Sequence, residues 1–327
     1  MKIRKEKRGW KRLWREIRYW LASVVLRGFV QVIRFLPGKW TLFSIMEGIG
    51  TKICWRLATK YQTKMLDNLT LSFHDSLTEA EKQRIAKESF RTMIRGFMET
   101  MYCIYTYRKK FDPVIELEGS KNLEQALALG KGALAVSAHL GTFTILGAKL
   151  HASGFHLTWI MGPQTHPRIA RVWRQIGGKV GTGFIIIDSL FRFHREILRI
   201  LRKGEIVGFI CDENQKQGGV VVEFLGRTMA LPVGPAVYHL KTGAPIIPMF
   251  ILGQGGGGHK VIIDSPLKIT LSGDEERDIF TITDQIARVM ESYIRQYPGQ
   301  WSWISKRRIR TRTRRKTFLE EKTNPLS

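Results

Sequence analysis

The chain has 327 residues, 43% of them hydrophobic, and carries 53 Lys and Arg against 28 Asp and Glu, a formal charge of +25. That apolar content suffices for a sizeable core in one large domain or two small ones, which excludes a disordered chain. So large a positive excess is costly unless it faces phosphates or an acidic surface, so an anionic partner is expected.

The first twenty residues hold nine basic side chains (Lys2, Arg4, Lys5, Lys7, Arg8, Lys11, Arg12, Arg15, Arg18) against Glu6 and Glu16, with Trp10, Trp14, Tyr19 and Trp20 interleaved. Indoles among basic residues suit a lipid headgroup region. Residues 19–37 approach the length of a membrane span but are interrupted by Arg27, Gln31 and Arg34. Charge near a bilayer centre is expensive, so the reading is an amphipathic or shallow membrane helix whose arginines snorkel, rather than a clean span. No small-residue cleavage site follows, and Pro37-Gly38 reads as a turn, which argues against a signal peptide and keeps the basic flank cytoplasmic. Residues 1–40 are therefore expected to anchor the chain at a membrane surface.

A second helical stretch follows Thr41 and ends near residues 68–73. Thr78 opens the next helix with Glu81 three positions later, a capping-box spacing, and Phe90, Met93, Ile94, Phe97 and Met101 continue it with helical period. After Pro113 the pattern changes. Apolar runs at 134–138, 157–161, 184–187, 206–211, 220–224, 246–252 and 261–263 alternate with helical segments at 192–201 and 233–242. A last helix, roughly 278–297, is stopped by Pro298-Gly299. This alternation predicts an α/β domain over 41–305, with a mostly parallel mixed sheet flanked by helices. The glycine-rich run 253–258 lies between two strands with no helix after it, so it reads as a flexible hairpin connection rather than a phosphate loop.

The tail, 306–327, opens with eight basic residues between 306 and 316 and no acid. It reads either as a second grip on the same anionic surface or as a solvated segment. Cys54, Cys103 and Cys211 are widely spaced and odd in number, which gives no disulfide framework and no zinc motif; they are expected to be core thiols in a reducing compartment. No ligand cluster calls for a metal, and nothing calls for an organic cofactor. A nucleic-acid partner would answer the charge, but no binding module is recognisable and the indole-rich front suits a membrane better.

The chemistry-bearing segment is Ala138-His139-Leu140-Gly141-Thr142-Phe143-Thr144, which places a histidine directly after a buried-looking strand and before a helix. That is the carboxyl end of a strand, where α/β sheets bind substrates, and a His there can act as general base at neutral pH. This stretch resembles the catalytic motif of the lipid A biosynthesis (late) acyltransferases, lauroyl/myristoyl acyltransferase-like enzymes in which a histidine pairs with an acid five positions later. Further blocks in the same order are similar to that family: Asn68-Leu69, Phe73 and Glu99, then Asp212-Glu213-Asn214-Gln215, Phe224-Leu225-Gly226-Arg227, Leu231-Pro232-Val233-Gly234, Gly243-Ala244-Pro245, and Pro298-Gly299-Gln300-Trp301-Ser302-Trp303.

The resemblance implies a glycerolphosphate acyltransferase-like fold and acyl transfer from a thioester to a hydroxyl. The donor it implies is an acyl carrier protein or acyl-CoA, and the acceptor an anionic glycolipid of the lipid A type, at the cytoplasmic face of a bacterial inner membrane. His139 would take the hydroxyl proton, a carboxylate would orient the imidazole, and Arg227, with Arg168 and Arg171, would hold acceptor phosphates. Position 144 departs from the pattern, because Thr144 stands where the family has an acid. No Asp or Glu occurs from Ala133 through Ile187. A replacement must come from Asp188, Asp212, Glu213, Glu223 or Glu99. Asp212 is the first choice because it ends a predicted strand of the same sheet, although it equally suits a turn start. Thr144 and Glu213 remain substrate-binding candidates. Ser305 departs where the family has a histidine before Lys-Arg. Two other readings stay open: a catalytically impaired relative that binds lipid or acyl carrier protein, and an acyltransferase acting on another glycolipid or a lysophospholipid.

Overall fold

The computed structural model describes residues 28, 40–106, 114–162, 177–186, 190–215, 218–254 and 257–304. The rest of the anchoring segment expected at 1–40, the basic tail, Arg168, Arg171, Asp188 and Ser305 lie outside the described residues.

Two helices, α1 (Trp40–Leu57) and α2 (Thr59–Phe73), form where the sequence predicts one. The break falls at Ala58, at φ −94° and ψ 30°, with no Pro or Gly to announce it. α3 (Glu79–Thr106) opens with the expected capping box: the Thr78 N–H donates to Glu81 Oε2 at 2.8 Å and the Glu81 N–H to Thr78 Oγ1 at 3.3 Å. Among the described residues no helix is long and apolar enough to cross a membrane.

The strands are β1 (Ile115–Glu118), β2 (Ala133–Ser137), β3 (Leu157–Met161), β4 (Gly183–Ile186), β5 (Ile206–Ile210), β6 (Gly219–Phe224), β7 (Arg227–Pro232), β8 (Ile246–Gly253) and β9 (His259–Ile263). Between and after them come α4 (Ser120–Leu127), α5 (Phe143–Ala152), α6 (Leu190–Arg202), α7 (Gly234–Thr242) and α8 (Glu275–Gln296). The main sheet runs β1-β9-β8-β2-β5-β3-β4, and β6 and β7 form a separate antiparallel hairpin. All pairings in the main sheet are parallel except β8 with β9, so the mostly parallel mixed sheet is the observed one. The glycine-rich run does join an antiparallel pair, with the Gln254 N–H closing on Gly258 O at 2.8 Å.

β2 is buried at every residue, as a central parallel strand with helices on both faces must be. Its alternate residues feed two cores. Leu134 and Val136 join Phe209, Phe250, Ile282, Ile286, Trp301 and Trp303 on one face, whereas Ala133 and Ala135 join Ile145, Leu146, Met249 and Ile251 on the other. Each fully buried aliphatic side chain contributes about 1.5–3 kcal/mol.

Two strands escape sequence reading. β1, Ile-Glu-Leu-Glu, is short and half acidic, and β7 begins with Arg and ends with Pro. Both are edge or hairpin strands with one solvated side, which tolerate residues that central strands exclude. One expectation is corrected: Cys103 and Cys211 are buried, but Cys54 is exposed. It lines an open cleft between α1 and α3, whereas burial pushes the other two thiols well above the usual range.

Candidate active site

Ser137 of β2 stands opposite Ile210 of β5 in parallel register. His139 and Asp212 each lie two residues beyond, so both leave the sheet at the same rim. The geometry follows: His139 Nδ1 is 2.7 Å from Asp212 Oδ1, and the His139 N–H donates to Asp212 Oδ2 at 3.0 Å. Asp212 is fully buried, whereas the His139 side chain is 28% exposed. A third donor completes the carboxylate, because Trp301 Nε1–H reaches Oδ2 at 2.7 Å. A buried carboxylate that accepts three hydrogen bonds has a fixed orientation, and it fixes the ring bound to it.

The loop after β2 is held on several sides. Leu140 bridges to Trp301, the Gly141 N–H donates to Gln300 O at 2.9 Å, and the Ser302 N–H donates to His139 O at 3.2 Å. Phe143 meets the imidazole edge to face, with centroids 5.1 Å apart. Trp301 was invisible as a site residue because it lies 89 positions from the aspartate it serves. The only signal was its place in the aromatic block after the last helix.

Thr144, where the acid was expected, faces α3 and shares a hydrogen bond with Thr100 Oγ1 at 2.5 Å. Glu99 pairs with a different histidine. It is fully buried and takes Arg95 Nε–H at 2.7 Å, the Thr142 hydroxyl at 2.6 Å, and a 3.0 Å contact with His259 Nε2. Burial alone would raise the Glu99 carboxyl, but His259, Arg95 and Thr142 together hold it below the usual carboxylate range. Glu213 is exposed, and Glu223 is exposed on the hairpin, taking the Thr228 hydroxyl at 2.8 Å. Arg227 donates to Asn68 Oδ1 at 3.0 Å and Asn68 O at 2.9 Å, while Asn68 Nδ2 reaches Trp303 O at 2.7 Å. It thus fastens the hairpin to α2 and, through Asn68, to the tryptophan segment.

An apolar cleft of about 360 Å³ opens between α1 and α3, lined by Met46, Gly50, Phe90, Met93, Ile94 and Met98 among others. Met93 ties it to the rim, since its sulfur takes the Ser302 hydroxyl at 3.7 Å and Ser302 in turn holds the His139 carbonyl. The outer side of α1 carries Ile45, Ile49, Ile53 and Leu57 at four-residue spacing, each at least 52% exposed. Exposed Lys52 and Arg56 of the same helix stand next to Ile53 and Leu57.

With Nδ1 committed to Asp212, proton exchange with a substrate falls to Nε2, the arrangement of a general base with an orienting acid. Among the described residues no group of His, Cys, Asp and Glu is arranged to hold a metal ion. Residues 8–310 match the family described as bacterial lipid A biosynthesis acyltransferase. The chain is 25% identical, over 84% of both sequences, to a lipid A biosynthesis acyltransferase of Haemophilus influenzae. It is also 27% identical, over 57% of both sequences, to a phosphatidylinositol mannoside acyltransferase of Mycobacterium tuberculosis, and 25% identical, over 56% of this chain and 59% of the other, to one from Mycolicibacterium smegmatis.

Proposed function

The chain belongs to the bacterial lipid A biosynthesis acyltransferase family, and from that premise we propose that it moves a fatty acyl chain from a thioester to a hydroxyl of an anionic, lipid A-type glycolipid. His139 takes the hydroxyl proton as the oxygen bonds to the thioester carbonyl carbon. The carbon–sulfur bond then breaks, and the proton passes from the imidazolium to the departing sulfur. Asp212 replaces the acid missing at position 144: it fixes the ring and offsets the charge that forms on it. The observation that carries this reading is the 2.7 Å contact between His139 and a fully buried carboxylate at the rim of the adjacent strand.

The donor is an acyl carrier protein or acyl-CoA, and its chain enters the cleft between α1 and α3. Arg227 shapes the site through Asn68, while Arg168 and Arg171 are assigned to the acceptor phosphates. The mycobacterial likeness supports a glycolipid hydroxyl as acceptor without restricting it to one sugar scaffold. The test is to incubate the purified chain in detergent micelles with myristoyl acyl carrier protein and a phosphorylated glucosamine lipid, then to weigh the lipid by mass spectrometry. A gain of one myristoyl group that the His139→Ala chain does not produce is the expected result. Equal product from both chains would sink the reading and favour a lipid-binding relative.

Gly50 offers a measure of the cleft, because a Cβ built there meets nothing within 4 Å. Gly50→Phe is therefore expected to fill the cleft without distorting α1. Losing the burial of two methylenes at about 0.8 kcal/mol each shifts the lauroyl-to-palmitoyl preference roughly tenfold toward the shorter chain. Competition between the two thioesters in one reaction reads this directly.

The stripe on α1, with cations beside it, is assigned to an anionic bilayer surface, which sets the cleft at the level of the lipid. Replacing Ile45, Ile49 and Ile53 together with Ser is expected to weaken co-sedimentation with phosphatidylglycerol vesicles about tenfold. Unchanged sedimentation would remove α1 from the membrane contact.

A further inference from the structure

Thr142 occupies the N-cap position of α5, where a threonine hydroxyl ordinarily accepts from the backbone of the first turn. It makes no such bond. Its hydroxyl instead donates at 2.6 Å to Glu99 Oε2, across the interface with α3, and both residues are buried. A helix end without its cap is less stable, so the bond to Glu99 stands in place of a contact the sequence could have made locally.

Glu99 is the end of a line of alternating charges along one face of α3. Arg91 Nε–H reaches the buried Glu47 of α1 at 2.6 Å, Arg95 lies 3.8 Å from the same carboxylate, and Arg95 Nε–H binds Glu99 at 2.7 Å. His259, also buried, meets Glu99 from β9. The line thus begins on the helix that lines the apolar cleft and ends three residues from His139. Burying a carboxylate is expensive unless it is paired, and here Glu47 is matched by Arg91 and Glu99 by Arg95. The proposed reaction makes no use of it.

Resting on the acyltransfer reading above, we propose that Glu99 and Thr142 are positioning residues, which anchor the loop 139–142 to α3 and so hold the imidazole where an acceptor hydroxyl must meet the thioester. Neither touches the reacting atoms. Their effect is on the fraction of bound substrate in a reactive arrangement, which enters kcat rather than substrate affinity.

The experiment measures kcat and KM for transfer from myristoyl acyl carrier protein to a phosphorylated glucosamine lipid in the parent, Thr142→Val, Thr142→Ser, Glu99→Gln and the Thr142→Val/Glu99→Gln double variant. Valine keeps the shape and removes the hydroxyl, whereas serine keeps the hydroxyl. Thr142→Val is expected to lower kcat about tenfold at unchanged KM, and Thr142→Ser to stay within about twofold of the parent. The double variant is expected to be no slower than Glu99→Gln, because the two residues act through one bond. Thr142→Val within twofold of the parent, failure of serine to rescue, or losses that multiply in the double variant would each overturn the proposal. If the Glu99→Gln chain does not fold, the valine and serine pair decides alone. His139→Ala run alongside separates the two levels: if it equals the parent the acyltransfer reading fails, and if it is inactive while Thr142→Val is not, only the positioning role fails.

Discussion

His139→Ala is expected to lower kcat by about 10²–10⁴-fold, the usual worth of a positioned general base, with the folded state retained because the ring is part-exposed at a rim rather than packed in the core. Asp212→Asn is the sharper probe. The carboxylate serves three donors, two of them on Oδ2, the His139 N–H and the Trp301 indole N–H. Asparagine has one acceptor oxygen, and those two donors claim it. Its amide N–H₂ then faces Nδ1, which must become the bare nitrogen of the ring and push the proton to Nε2. A ring protonated there cannot take a proton from an alcohol, and the negative charge that balances the imidazolium is gone as well. A loss of about 10²–10⁴-fold in kcat is therefore expected with KM little changed. Steady-state kinetics on the two variants check this, with thermal unfolding alongside. An Asp212→Asn chain as fast as the parent would remove Asp212 from the mechanism.

Gly141→Ala is expected to be the most damaging small substitution at the site. Gly141 has φ +56°, in the left-handed region that costs other residues about 1–2 kcal/mol. A Cβ there would lie 2.1 Å from Ile251 O, a backbone atom of β8 that cannot swing aside. Strain and clash together are expected to destabilise the fold by at least about 3 kcal/mol, or roughly 4–5 °C in the unfolding midpoint. Any chain that still folds will carry a displaced His139 loop and little activity. Calorimetry and the transfer assay on one preparation test both, and an unshifted midpoint would contradict the described backbone.

Much of this architecture is legible in the residues, and the illegible parts share physical causes. The apolar runs match β3 at its bounds and β2, β5 and β8 within a residue, because strands inside the sheet are short and mostly apolar. β1 and β7 were missed because one solvated side admits Glu, Arg and Pro. The end of α1 was missed because Ala58 is a good helix former. At the site, Asp212 was reachable from its place at a strand end, since parallel neighbours present their carboxyl ends to a common rim. Its register with His139 was not reachable, because pairing across 73 residues is set by packing and not by local pattern. A still longer separation, 89 residues, hides the contact of Trp301 with Asp212. The resemblance offers Arg227 as a phosphate ligand, and its hydrogen bonds to Asn68 are visible only in three dimensions, because they cross 159 residues of chain.

Had the acid stood at 144, base and partner would share one short stretch of chain and would stay neighbours even in a loosened molecule. Here the two halves arrive on separate strands, and the joined edges of β2 and β5, with the tryptophan segment packed against both, keep them 2.7 Å apart. Competence is thus a property of the whole fold rather than of a peptide segment, and gentle denaturant should extinguish turnover in step with the global spectroscopic transition rather than ahead of it.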